Sequence, residues 1–175
     1  ANYYNSRTTD MLYLYNVSVP PFTYNTLLAN IGSMRNWGTE IAIGITPLKT
    51  KDMELNINAN ITFQRNKLLS LSGMYNGEML SASEYKSLAS LDGAGFHGGY
   101  NHIVYQMVGQ PLGVFYLPHS TGLESDGNGG YTYGIADLNG GGVSLEDGED
   151  RYVAGQAVPK TILGSNISFR YKRFD

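Results

Sequence analysis

Met53-Glu54-Leu55-Asn56-Ile57-Asn58-Ala59-Asn60-Ile61-Thr62-Phe63-Gln64 alternates apolar and polar residues without a break. In an extended chain successive side chains point to opposite faces. Met53, Leu55, Ile57, Ala59, Ile61 and Phe63 therefore share one face, and Glu54, Asn56, Asn58, Asn60, Thr62 and Gln64 share the other. One face calls for an apolar medium and the other for water. A strand of a soluble sandwich reads this way. So does a membrane-spanning strand of roughly 9 to 11 residues whose amide-rich face lines a wet barrel lumen.

The preceding run carries the same signal. Trp37, Thr39, Ile41, Ile43 and Ile45 fall on one face, with Gly38, Glu40, Ala42 and Gly44 opposite, and the short stretch Thr46–Asp52 joins the two runs. An antiparallel hairpin is expected. Taken as a barrel wall, it would turn Trp37, Ile41, Ile43, Leu55, Ile57, Ile61 and Phe63 to lipid, and Glu40, Asn56, Asn58 and Asn60 to the lumen. Trp37 would then sit in an interfacial aromatic girdle. The small residues Gly38, Ala42 and Gly44 leave space on the inner face, although glycine also marks bends in any twisted sheet.

Composition narrows the function. A net charge of -3 over 175 residues gives no pull toward nucleic acid or an anionic surface. The chain has no cysteine, which rules out a disulfide framework and thiolate metal ligation. Fourteen Tyr and 22 Gly with only 15% charged residues suit an all-β chain with long turns. No apolar run approaches the ~18 residues of a transmembrane helix.

Both ends read as strands: Asn2-Tyr3-Tyr4 at the start, and Ile167-Ser168-Phe169-Arg170-Tyr171 near the finish. Four strands cannot close a sheet, and open edges are not tolerated in lipid, so the expectation is a partial barrel, a piece of a larger sheet with no complete domain. Residues 1–68 would supply barrel strands and the hairpin, and residues 161–175 another barrel strand. Residues 69–160 would be one long extracellular loop, with a short helix expected at Ser83–Ala89 and glycine clusters at Gly93-Ala94-Gly95, Gly98-Gly99 and Gly127-Asn128-Gly129-Gly130. A connection of this length is usually functional. Long connections at one end and short turns at the other match outer-membrane barrels, with residues 16–32 and 69–160 outside the cell.

Several motifs together resemble the C-terminal barrel region of SusC/RagA-type TonB-dependent transporters. They are Tyr3-Tyr4-Asn5-Ser6-Arg7-Thr8-Thr9-Asp10-Met11-Leu12, Val19-Pro20-Pro21, Asn30-Ile31-Gly32-Ser33-Met34-Arg35-Asn36-Trp37-Gly38-Thr39-Glu40, Gly109-Gln110-Pro111-Leu112-Gly113-Val114-Phe115-Tyr116, Asp137-Leu138-Asn139-Gly140, Gly155-Gln156-Ala157-Val158-Pro159-Lys160 and the closing Gly164–Asp175. The resemblance implies an outer-membrane barrel of about 22 strands with an N-terminal plug. It also implies a SusD-like surface lipoprotein as partner, TonB contacted through an N-terminal region not found in this sequence, and import of oligosaccharides or peptides across outer-membrane lipid. No cofactor and no nucleic acid are expected.

Residues 137–147 look like a calcium loop, but counting from Asp137 the fifth position is Gly141 and the twelfth is Gly148, where an EF-hand-type loop needs side-chain oxygens. Asp147 and Asp150 are near enough to substitute in an irregular loop; a glycine-rich turn with solvated acids is the simpler reading, and no metal site is predicted. His97, His102 and His119 lack the i, i+4 spacing of a helical metal pair. No nucleophile elbow or phosphate loop is present, so no enzyme is expected. Among the aromatics of the long connection, Tyr105, Phe115, Tyr116, Tyr131 and Tyr133 are candidate contacts for a partner or sugar ring, with Tyr75, Phe96 and Tyr100 beside them. The alternative is a soluble β-rich binding or adhesion module that buries the same apolar face against a second sheet.

Overall fold

A computed structural model describes residues 1–90 and 102–174. The long strands are β1 (Asn2–Asn16), β2 (Thr26–Lys49), β3 (Met53–Ser70) and, after a long connection, β12 (Thr161–Tyr171). The connection carries β4 (Ser72–Tyr75), β5 (Glu78–Ser81), β6 (Tyr85–Ser90), β7 (His102–Met107), β8 (Val114–Pro118), β9 (Ser120–Ser125), β10 (Tyr131–Ile135) and β11 (Arg151–Gln156). Every strand pairing is antiparallel, and no helix occurs among the described residues.

The long strands form one sheet in the order β1-β2-β3-β12. Register keeps the two faces of the sequence pattern apart. On one face Ile41 lies opposite Ile61 and Ile61 opposite Leu163; Ile45, Ile57 and Ile167 form a second row, and Leu48, Leu55 and Phe169 a third. On the other, Ala42, Asn60 and Gly164 are level, as are Gly44, Asn58 and Asn166. Among the described residues no layer covers the apolar face: Ile43 is 62% exposed, Leu163 74% and Ile167 69%. Apolar side chains aligned in rows and left this open mark a surface that some other medium or molecule covers.

β2 and β3 are joined by residues 50–52, where the Thr50 hydroxyl accepts a hydrogen bond from the Met53 N–H at 3.0 Å. The expected link Thr46–Asp52 is therefore shorter, because β2 continues to Lys49 through a register shift between Ile45 and Leu48. Pro47, which has no N–H to give a ladder, falls within that irregularity.

The connection folds into small sheets of its own: β4-β5, β9-β10, and a four-stranded sheet ordered β11-β8-β7-β6. One core gathers Tyr15, Ala29 and Leu80 at the far end of β1 and β2; another gathers Tyr105, Val114 and Tyr116. The helix expected at Ser83–Ala89 is instead strand β6. A segment that short is marginal as a helix, whereas pairing with β7 sets Tyr85 opposite Met107 and stacks its ring on Tyr116 at 5.6 Å.

The small residues of the polar face are filled from across the sheet. A Cβ at Gly38 would lie 2.4 Å from the Phe63 carbonyl oxygen and 2.7 Å from the Tyr4 hydroxyl; at Gly44 it would meet the Asn58 amide oxygen at 2.7 Å. Gly38→Ala should therefore destabilise the folded protein by about 1–3 kcal/mol, because a backbone carbonyl must move. Denaturant unfolding checks this; unchanged stability would show that no such close approach exists.

Candidate functional site

The sheet of long strands brings together the residues singled out from its sequence pattern. Ile41, Ile43, Leu55, Ile57, Ile61 and Phe63 share the apolar face, joined there by Leu163, Ile167 and Phe169 of β12. Trp37 lies on the same face opposite Arg65, with the Arg35 guanidinium 5.1 Å from its ring centre. Glu40, Asn56, Asn58 and Asn60 share the polar face; Asn56 accepts a hydrogen bond from Thr46 at 2.7 Å, and its amide donates to Glu54 at 3.2 Å.

The connection is built around two adjacent charged residues, both buried and pointing in opposite directions. The Asp150 carboxylate accepts backbone N–H bonds from Leu138 at 2.6 Å, Asn139 at 3.4 Å and Ser144 at 2.8 Å. Those bonds, from Ser144 and Leu138 foremost, hold its pKa below the usual carboxylate value. Asp137 accepts from Gly140 at 2.5 Å and Gly142 at 3.0 Å, and the Asn139 amide donates to Glu149. In the loop first weighed as a calcium site, two acids are thus occupied by the loop's own N–H groups.

Arg151 enters the neighbouring sheet. Its guanidinium donates to the Tyr105 hydroxyl at 2.7 Å, to Asp147 at 3.1 Å, and to the carbonyls of His102 and Tyr116, each at 2.7 Å. It also lies 4.7 Å from the ring centre of Tyr105 and 4.9 Å from that of Tyr116. Burial pushes both phenols' pKa up, so they stay neutral beside the cation. The Tyr116 hydroxyl accepts from the Gly148 N–H at 3.1 Å.

This arrangement corrects part of the list of candidate contacts. Tyr105 and Tyr116 are 1% and 4% exposed, spent on Arg151 rather than offered to a partner. Phe115 is half-buried on the opposite face of β8. Tyr131 and Tyr133 are exposed on β10, with Leu123 of β9 opposite Tyr133. His102 approaches the Ser87 hydroxyl at 3.0 Å, and His119 lies against Tyr152. Phe96, His97, Tyr100 and the glycine clusters at 93–99 lie outside the described residues. Arg151 went unremarked in the sequence because, Asp147 apart, its partners stand 46, 49 and 35 residues away, and no local pattern links them.

The described residues thus form an all-β antiparallel arrangement: a sheet with one uncovered apolar face, a tight turn at one end and an elaborate connection at the other. Comparison with known proteins finds TonB-dependent receptors. The chain is 25% identical over 173 residues to the TonB-dependent receptor SusC of Bacteroides thetaiotaomicron, covering 98% of this chain and 16% of that protein. It is 28% identical over 184 residues to the TonB-dependent receptor P26 of Formosa agariphila, covering 99% and 17%. The fold matches a chain of the RagAB peptide transporter with a TM-score of 0.55 at 19% identity, over 97% of this chain and 17% of that one. No family model matches. The chain is thus of the SusC/RagA type indicated by its motifs, and spans about one sixth of the length of these curated relatives.

The buried carboxylate sets a prediction. A lowered folded pKa means that the contribution of Asp150 is fully present above the ordinary carboxylate range and is lost as pH falls through the depressed value. Hydrogen exchange at the Leu138, Asn139 and Ser144 amides should stay slow at pH values where free carboxylates are already protonated, then rise at lower pH. Asp150→Asn should raise exchange at those amides at neutral pH. Identical protection in variant and parent would remove Asp150 from this role.

Proposed function

We propose that this chain forms part of the wall of a TonB-dependent outer-membrane importer, with β1, β2, β3 and β12 crossing the bilayer. The observation that carries the reading is the row-by-row continuity of an uncovered apolar face across β2, β3 and β12. The ten steps from Met53 to Phe63 rise roughly 33 Å at ~3.3 Å per residue and about 23 Å at a tilt of ~45°. That is close to the apolar band of about 25 Å around outer-membrane barrels. On this reading Trp37, Ile41, Ile43, Leu55, Ile57, Ile61 and Phe63 face lipid, while Glu40, Asn56, Asn58 and Asn60 face the lumen. Residues 16–32 and 69–160 are extracellular.

The importer would take up oligosaccharides or peptides and work with a SusD-like surface lipoprotein and with TonB. What supports this is the similarity to SusC and, for peptides, to the RagAB peptide transporter. The chain's own role in that work is structural and recognitive rather than catalytic. The β9-β10 hairpin is the part of the connection best placed for a partner, since Leu123, Tyr131 and Tyr133 are 64%, 76% and 53% exposed. A two-stranded hairpin is marginal on its own in water.

Two experiments test the reading. In the full-length receptor, arginine at Ile57 should destabilise the barrel by about 2–4 kcal/mol and arginine at Asn58 far less, measured by unfolding in lipid; equal costs would argue against a membrane wall. The Ala136 N–H donates to the His119 carbonyl at 2.9 Å, so the chain ends flanking the hairpin already meet. Deleting residues 120–135 should leave the barrel assembled but reduce copurification of the lipoprotein. Undiminished copurification and uptake would leave the hairpin a passive cover.

A further inference from the structure

On the face that carries the apolar rows, the end of the sheet away from the tight turn is cationic. Arg7 of β1 lies directly opposite Arg35 of β2, and Arg35 directly opposite Lys67 of β3. Two residues nearer the apolar band, Arg65 of β3 lies opposite Trp37 on the same face. All four cations are exposed. Like charges placed directly opposite across strands destabilise a sheet, so three in one row call for a counter-charge.

Among the described residues no carboxylate supplies it. The Arg35 guanidinium donates to the Asn5 amide oxygen at 2.9 Å, and Arg65 donates to the carbonyls of Gln64 at 2.7 Å and Lys160 at 2.9 Å. The salt bridges found are elsewhere, at Arg151–Asp147 and Arg170–Glu54. The opposite end of the same sheet shows the contrast: there Glu54 sits between Lys49 and Arg170 in one cross-strand row and balances them. With a net charge of -3, the chain as a whole is not basic, so the cluster is local.

We propose that Arg7, Arg35, Arg65 and Lys67 form a binding patch for the phosphorylated headgroup of a membrane lipid. Guanidinium forks match phosphate oxygens in geometry and charge. The row immediately below, Thr39 with Phe63, begins the apolar face that continues through Ile41–Ile61–Leu163. Acyl chains lie along that face while the phosphates meet the cations, with the Trp37 ring at the boundary. This continuity of cationic and apolar surface selects a lipid over a free anion. The inference rests on the wall reading above and adds the class of lipid that the wall recognises.

The test uses the full-length receptor purified in detergent and equilibrated with diphosphoryl lipid A or its fully dephosphorylated form, with retained lipid counted by native mass spectrometry. Wild type should retain the diphosphoryl lipid about tenfold better. Arg35→Gln with Lys67→Gln should abolish the preference, Lys49→Gln with Arg170→Gln should keep it, and millimolar inorganic phosphate should not displace the lipid. Equal retention of the two lipids by wild type overturns the inference even where the variants fail to assemble. Displacement by inorganic phosphate overturns it too, by making the patch a free-anion site. A receptor that needs detergent yet ignores the phosphates sinks this inference alone; one that stays monodisperse without detergent and binds neither lipid sinks the wall reading with it.

Discussion

The uninterrupted register between β3 and its neighbours is the constraint from which the rest of the structure follows. β3 pairs with β12 from Met53–Tyr171 through Phe63–Thr161 without a shift, and with β2 from Leu68–Met34 through Ile57–Ile45 without one. A slip of one residue would move every isoleucine of a strand to the amide face. The irregularities of β2 against β3 fall at Ser33/Met34 and Ile45/Leu48, at the two ends of that stretch. Twist and turn are therefore accommodated where they do not mix the faces.

The polar face depends on the same register for a different reason. Gly44 and Gly164 lie beneath the amides of Asn58 and Asn60, each of whose oxygens would come within 2.7 Å of an added Cβ. Large amides on the central strand thus pack over glycines on the strands flanking it. Glycine costs a strand conformational entropy, and here it lets side chains lie flat along the sheet instead of projecting from it. The apolar face, by contrast, has side chains of full size and, among the described residues, no covering layer.

The strands of the wall were legible because their alternation is local: each residue's face depends only on its parity. The connection was not, because its order comes from contacts between distant residues. Ser83–Ala89 reads as a helix until Tyr85 finds Tyr116, and Tyr105 reads as a surface aromatic until Arg151 arrives beneath it. Arg151 itself follows an acidic run and looks like one more solvated charge. A buried cation is tolerable only when nearly every donor is met, and here two carbonyls, a phenol, a carboxylate and two ring faces meet it.

Wall and connection therefore hold together by opposite means, and their junction shows how they are joined. The sheet leaves its apolar face to an outside medium, while the connection closes the core of Tyr105, Val114 and Tyr116 by itself and adds Leu80 to the core that Tyr15 and Ala29 form at the end of β1 and β2. The two meet at the far end of β3, where the Leu68 side chain is fully buried. There the Leu68 N–H donates to the Gln110 carbonyl, the Gly109 N–H donates to the Leu68 carbonyl, and the Asn66 amide oxygen accepts from the Leu112 N–H. The turn between β7 and β8 is in this way tied to the last residues of β3, while Lys160, just before β12, accepts the Gln64 N–H. Gly109 has φ near +85°, a conformation that favours glycine and that brings its N–H onto the strand. The core that holds Arg151 is thus seated on the end of the wall through backbone bonds, and its position is set by the strand rather than by the long path of chain that leads to it.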